Sequence, residues 1–119
     1  MAKILVHITR GPDDPTTAAL GFLVAKTAAE QRHEVSVFLA GDAVHLLTDR
    51  GMQIEGLGTG RVGEHYESIA AAGARFYLSG MSSKARGVGE ADIDGKPAEF
   101  AMPDVLVNLA TAADTVITY

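Results

Sequence analysis

Serine, lysine and arginine crowd into one short stretch, Ser79-Gly80-Met81-Ser82-Ser83-Lys84-Ala85-Arg86. The apolar run Phe76-Tyr77-Leu78 stops at Ser79-Gly80, and two serines follow at a helix start. Backbone N–H groups at such a start point at any nearby anion, and a serine side chain can cap it. Gly80 lets a ligand approach the main chain, and Arg86 supplies a charge-assisted bond. Other polar groups fall near the ends of two further apolar runs: His7, Thr9 and Arg10 at the first, Asp42 after the second. In an open parallel sheet, ligands bind beyond the carboxyl ends of the strands. The candidate ligand-binding set is therefore Ser79, Gly80, Met81, Ser82, Ser83, Arg86, His7, Thr9, Arg10 and Asp42. Plain structural roles compete for the same residues: Gly80 as a tight turn, Ser82 as a cap, His7 as a packed strand residue, Met81 as packing.

Other chemistry finds less support. A nucleophilic Ser79 needs an activating base and an orienting partner, and His7 is the one candidate base. The string Gly58-Thr59-Gly60-Arg61-Val62-Gly63 matches G-x-G-x-x-G letter for letter. No convincing strand precedes it, and no acidic residue closes a second strand about 20 residues on, as ribose recognition requires. It reads as a loop, and no cofactor is expected. His45 with Asp49, and Arg61 with His65, stand four apart on helices, but a metal needs three or four converging ligands. No metal site is expected.

The 119 residues suit one domain, and a 47% hydrophobic composition supplies a core. A net charge of −5 with few aromatics argues against general nucleic-acid binding, which wants a basic footprint. The absence of cysteine excludes disulfides, thiolate catalysis and cysteine-bound metal. The N-terminal apolar stretch is too short for a secretory leader, and no run approaches a membrane span. A cytoplasmic location is the expectation.

Positioning the candidate site requires alternating strands and helices. The β-branched run Lys3 to Ile8 predicts a buried strand, and the turn Thr9 to Pro15 carries helix-start residues. Asp13 or Asp14 serves as cap and Pro15 stands at the first helical position. A helix is predicted from about Thr16 to Gln31. Its first half is apolar all round, which predicts burial on more than one side, including against a neighbouring subunit. Glu34 to Leu39 is a second strand. Ala43 to Arg50 reads as a short helix closed by Gly51, Met52 to Gly60 as a loop and Arg61 to Ala72 as a helix. Arg75 to Leu78 is a third strand, and Ser82 to Arg86 a short helix. Pro103 opens a helix to about Ala113, and Thr115 to Thr118 is a last strand. A fifth strand is sought near Ile93 or in Pro97 to Ala101. The alternation predicts an α/β fold with a mainly parallel sheet and helices on both faces.

The first strand with Thr9-Arg10-Gly11, the Ala-rich helix, Phe38-Leu39-Ala40-Gly41-Asp42-Ala43-Val44, the turn Ser79 to Val88 and the closing Asp114-Thr115-Val116-Ile117 together resemble the DsrE/DsrF-like family of small sulfur-handling proteins. Ser-Lys-Ala-Arg-Gly, Ser83 to Gly87, is the most specific part. The resemblance implies a three-layer α/β/α domain with a five-stranded, mainly parallel sheet. It also implies a homo-oligomer, commonly a trimer or hexamer, with pockets near subunit contacts. Sulfur-relay members carry a persulfide on a cysteine at the position held here by Ser79, and a hydroxyl forms no persulfide. The expected function is therefore binding of a small anion or a partner, such as a sulfur-relay protein, without cysteine-based sulfur transfer. A Ser/His hydrolase or phosphoryl-chemistry enzyme and a structural oligomerisation module are the alternatives.

Overall fold

Alternation within the strands decides which face each side chain meets. In the computed structural model, which describes residues 1–119, β1 (Lys3–Ile8) sends Ile4, Val6 and Ile8 to one side of the sheet. Leu5 goes to the other side, and His7 follows it by the two-residue period. Helix α1 (Pro15–Glu30) starts as expected: Asp14 is the cap, its carboxylate accepting the Thr17 N–H at 3.2 Å, and Pro15 occupies the first turn. Strand β2 (Glu34–Leu39) follows.

Three local expectations need correction. The segment expected as a helix over Ala43 to Arg50 is a 3-10 helix, Gly41–Leu47, and Gly51 opens a second 3-10 turn, Gly51–Gln53. Gly51 is there for space, since a Cβ would overlap the His45 carbonyl. The expected loop holds a small antiparallel hairpin, β3 (Glu55–Gly56) and β4 (Gly60–Arg61). Helix α2 (Val62–Ala71) and strand β5 (Arg75–Ser79) come next. Helix α3 (Gly80–Arg86) begins two residues before the predicted start, so Ser79 rather than Ser82 is its cap. A short α4 (Glu90–Ile93) leads to β6 (Ala98–Ala101), the fifth strand of the main sheet. Helix α5 (Pro103–Ala112) and β7 (Thr115–Thr118) close the chain.

The main sheet has the order β6-β5-β2-β1-β7 and is parallel throughout. From β1 the chain steps outward through β2 and β5 to β6, and right-handed crossovers in one direction set their helices on one face. The return from β6 to β7 runs the other way, which sets α5 on the opposite face. The packing agrees. A cluster of 22 buried residues joins α1 and α2 to the sheet, with Phe22 stacked on Phe76 at 6.0 Å. Beneath α5 the fully buried cluster is Leu5, Phe38 and Ala101 alone. No helix is long and apolar enough to cross a membrane.

Helix α1 does not leave the broad apolar surface that its composition predicts. Ala18, Ala19, Gly21, Phe22, Ala25, Ala28 and Ala29 are buried within the chain. The β3–β4 hairpin is bonded to the start of α1, through Leu57 N–H to Thr16 Oγ1 (3.0 Å) and Thr59 Oγ1 to the Thr16 carbonyl (3.1 Å). Small side chains let neighbours come close, so the sheet, α2 and this hairpin share its circumference.

Candidate functional site at the carboxyl rim of the sheet

Turns after β1, β2 and β5 meet at the carboxyl rim. Gly11 packs its main chain directly on Asp42, where any Cβ would overlap the Asp42 carbonyl. The Gly41 N–H donates to Ser82 Oγ at 2.9 Å, tying the β2 turn to α3. Arg86 Nε donates to Asp42 Oδ1 at 2.9 Å, and Arg86 Nη1 donates to the Ser82 carbonyl at 3.3 Å. Segments some 40 residues apart in sequence are thereby held in one rigid cluster.

Each candidate residue has a definite place. Ser79 ends β5, and its Oγ accepts the Ser82 N–H at 3.1 Å as the α3 cap. Gly80 opens α3 beside Met102, whose sulfur would lie 3.4 Å from a Cβ there. Met81 is exposed. Ser83 is buried, and its hydroxyl has no hydrogen-bond partner. Thr9 is committed to the chain end: its N–H and its Oγ1 both donate to the Tyr119 carbonyl, at 2.8 and 3.0 Å. Arg10 is exposed and makes no ion pair.

The Arg86 guanidinium does not stand free. Asp42 orients it and offsets its charge. The Nη2 group makes no hydrogen bond within the chain, so one edge of the fork stays open. Exposure of both side chains leaves the pair weakly stabilising, at about 0–1 kcal/mol.

His7 belongs to a different neighbourhood. Its ring stands edge-on to Phe38 at 5.9 Å, its Nε2 is buried without a partner, and burial pushes its pKa below the ordinary histidine value. Strand β2 separates β1 from β5, and the register mates of His7 are Phe38 and then Tyr77. Two strand spacings plus two residues along β5 put the Cα atoms of His7 and Ser79 on the order of 10 Å apart. With Ser79 Oγ already engaged as a cap, the serine–histidine hydrolase arrangement has no support in this geometry.

The G-x-G-x-x-G string lies in the hairpin and the start of α2. The buried His65 donates from Nε2 to the Thr59 carbonyl at 2.8 Å, which pins the hairpin to α2. Arg61 is 3.5 Å from Glu64. These residues hold the fold together. Nothing in their types or spacing marked Thr16, Thr59 and His65 as a latch, because the bonds join segments that meet only after folding.

Concavity is modest at the rim. A cavity of about 350 Å³ lies between α3 and α5, lined by Gly80, Phe100, Ala101, Met102, Asp104 and Val105. A larger open groove of about 710 Å³ lies at the opposite, amino end. Its charged groups are mostly engaged: Glu34 with Lys3 at 3.9 Å, Arg75 with Glu99 at 3.3 Å, and His33 Nδ1 with the Ala2 N–H at 3.0 Å. The amino-end groove thus carries structural pairs, while the rim joins turns from three strands.

The fold and the sequence can now be set beside known proteins. Residues 2–119 match the DsrE/DsrF-like family. The chain belongs to that family. Among solved structures, it is similar to the YchN protein from E. coli, with a TM-score of 0.84 and 22% identity over 100% of both chains. It is also similar to a conserved protein of unknown function, BT1422 from Bacteroides thetaiotaomicron. That match has a TM-score of 0.69 and 12% identity, over 99% of this chain and 95% of the other. At these identities the likeness is one of fold. A search of curated proteins finds no match. As a DsrE/DsrF-like protein without cysteine, this chain keeps the family's architecture and places a hydroxyl at the α3 cap.

Proposed function

We propose that this DsrE/DsrF-like protein acts as a homo-oligomeric binding protein that takes a small anionic ligand at the carboxyl rim, without cysteine-based sulfur transfer. The observation that carries this reading is the bracing of Arg86. Asp42 and the Ser82 carbonyl hold its guanidinium in one orientation and leave Nη2 without a partner in the chain. Preorganised guanidinium groups suit oxyanions because the fork matches their oxygens. Arg10, on the adjoining turn, supplies a second unpaired positive charge.

Calorimetric titration with phosphate, sulfate, thiosulfate and common nucleotides tests it. The native protein binds at least one of them. Arg86→Ala weakens that binding by about tenfold or more, the loss of one charge-assisted bond. Asp42→Asn keeps an acceptor for Arg86 Nε while removing the competing charge, so affinity rises by about two- to fivefold, the span of an exposed ion pair. No heat with any of these ligands, or an Arg86→Ala variant that binds as well as the native chain, overturns the anion reading.

A further inference from the structure

The first 3-10 helix, Gly41–Leu47, turns one edge away from the core. Ala43, Val44, Leu46 and Leu47 are buried, whereas Asp42 and His45 are half-buried. Residues three apart eclipse one another on a 3-10 helix, about 6 Å along its axis. Asp42 and His45 therefore share the outward edge. Asp42 is engaged by Arg86 at the rim, 2.9 Å away. One turn further on, a cavity of about 390 Å³ opens beside His45, lined by Pro12, His45, Thr48, Arg50, Gly51 and Ile54.

The walls of this cavity are fixed by the main chain. Thr48 Oγ1 donates to the His45 carbonyl at 2.6 Å and accepts the Gly51 N–H at 3.0 Å. The Met52 N–H donates to the Thr48 carbonyl at 2.9 Å, and the Ile54 N–H to the Gly51 carbonyl at 3.1 Å. Pro12 enters from the turn before α1, which is held in place where Gly11 rests on Asp42. Two lining groups remain unspent. The His45 imidazole makes no hydrogen bond within the chain, and Arg50 makes no ion pair. No carboxylate lines the cavity, although the chain has 15 acidic residues against 10 basic. Asp13, Asp49 and Glu55 adjoin it in sequence, but they are exposed and lie outside the lining. Pro12 and Ile54 add apolar surface.

We infer that this cavity is a second small-molecule site, separate from the rim, and that it takes a small organic anion with an apolar body. The charged head, a carboxylate or a phosphate ester, meets Arg50 and His45. A guanidinium fork matches the oxygens of either head, and an imidazole N–H adds a further donor. The body lies against Pro12 and Ile54. A few polar groups that orient the ligand, set in an apolar wall, are the usual make-up of a small-molecule site, and the volume falls in the range of such sites. Thr48 and Gly51 have no polar group left for the ligand and serve to position His45. The site does not depend on anion binding by Arg86, whose partners are Asp42 and Ser82.

The test follows the His45 ring resonances of the full chain by NMR, assigned with His45→Gln, during titration with benzoate, phenyl phosphate, inorganic phosphate and benzyl alcohol. Benzoate or phenyl phosphate shifts them in a saturable way, and the tighter of the two identifies the head. Inorganic phosphate, which has no body, and benzyl alcohol, which has no charge, act at least about tenfold more weakly, since each lacks one half of the contact. Arg50→Ala, with an unchanged circular dichroism spectrum, weakens the response by at least about tenfold, the loss of a charge-assisted bond. Arg86→Ala leaves it as in the native chain. His45 resonances that neither benzoate nor phenyl phosphate moves overturn the inference. So does inorganic phosphate acting as strongly as phenyl phosphate, or an Arg50→Ala protein that responds like the native one. A response lost in Arg86→Ala and kept in Arg50→Ala assigns the ligand to the rim and overturns the second site while leaving the rim reading intact.

Discussion

The two faces of the sheet are built to different standards. On the α1–α2 side a continuous core of 22 residues includes stacked Phe22 and Phe76, and even the hairpin is bonded down. On the α5 side three residues are fully buried, and the covering helix has none. Both faces begin from the same strands and the same alternation. The difference arises from topology: three outward crossovers crowd one face, and a single return crossover serves the other. The stability of the chain therefore rests mainly on the α1–α2 face.

The largest expected effect separates the faces directly. Phe22→Ala removes a fully buried ring from the dense side and costs about 4 kcal/mol, the loss typical of a buried aromatic truncated to alanine. Leu106→Ala, at a half-buried position on α5 packed against Leu5, Phe38 and Ala101, costs about 1–2 kcal/mol by the same reasoning discounted for exposure. Urea denaturation of the two variants measures both losses. Equal losses at the two positions would erase the distinction.

A smaller effect lies at the rim. Ser79→Ala deletes the cap of α3 and costs about 1 kcal/mol. Faster amide exchange at Ser82, with little change elsewhere, locates the loss. If Ser79→Ala leaves both stability and Ser82 exchange unchanged, the hydroxyl is free for some role other than capping.

The smallest concerns His7 on the α5 side. Burial lowers its pKa in the folded state, so the unfolded chain binds the proton more readily. Its contribution to stability is complete above the ordinary histidine pKa of about 6.5 and declines as pH falls through that value toward the lower folded-state pKa. His7→Gln removes this component, and the difference between native and variant stability at pH 7.5 and pH 5.5 measures it. A native protein that gains stability relative to His7→Gln on acidification contradicts the burial of that imidazole.

Much of the architecture was legible in local chemistry. Asp14 and Pro15 announced α1, the β-branched run of β1 and the apolar run of β2 announced two strands, and Pro103 opened α5. The fifth strand lay in the weakly patterned region where it was sought, as Ala98–Ala101. The boundary of α3 was misread by two residues because Ser79 and Ser82 are both good caps, and only the path of β5 decides between them. The apolar circumference of α1 was legible, but the hairpin that covers part of it within the chain was not. The hairpin that completes its cover holds through Thr16, Thr59 and His65, whose side-chain types carry no long-range signal. At the site, Arg86 was visible as a cation, while its pairing with Asp42 joins positions 44 residues apart.

Residue types and their periods determined the alternation of elements, the parallel sheet and the absence of thiol chemistry, since these follow from side-chain shape, turn preference and composition alone. Tertiary structure decided which groups at the rim are already engaged and which face of the sheet is left thinly covered. Both depend on strand order, and strand order is set by the competition among non-local packings, which no local stretch of sequence records.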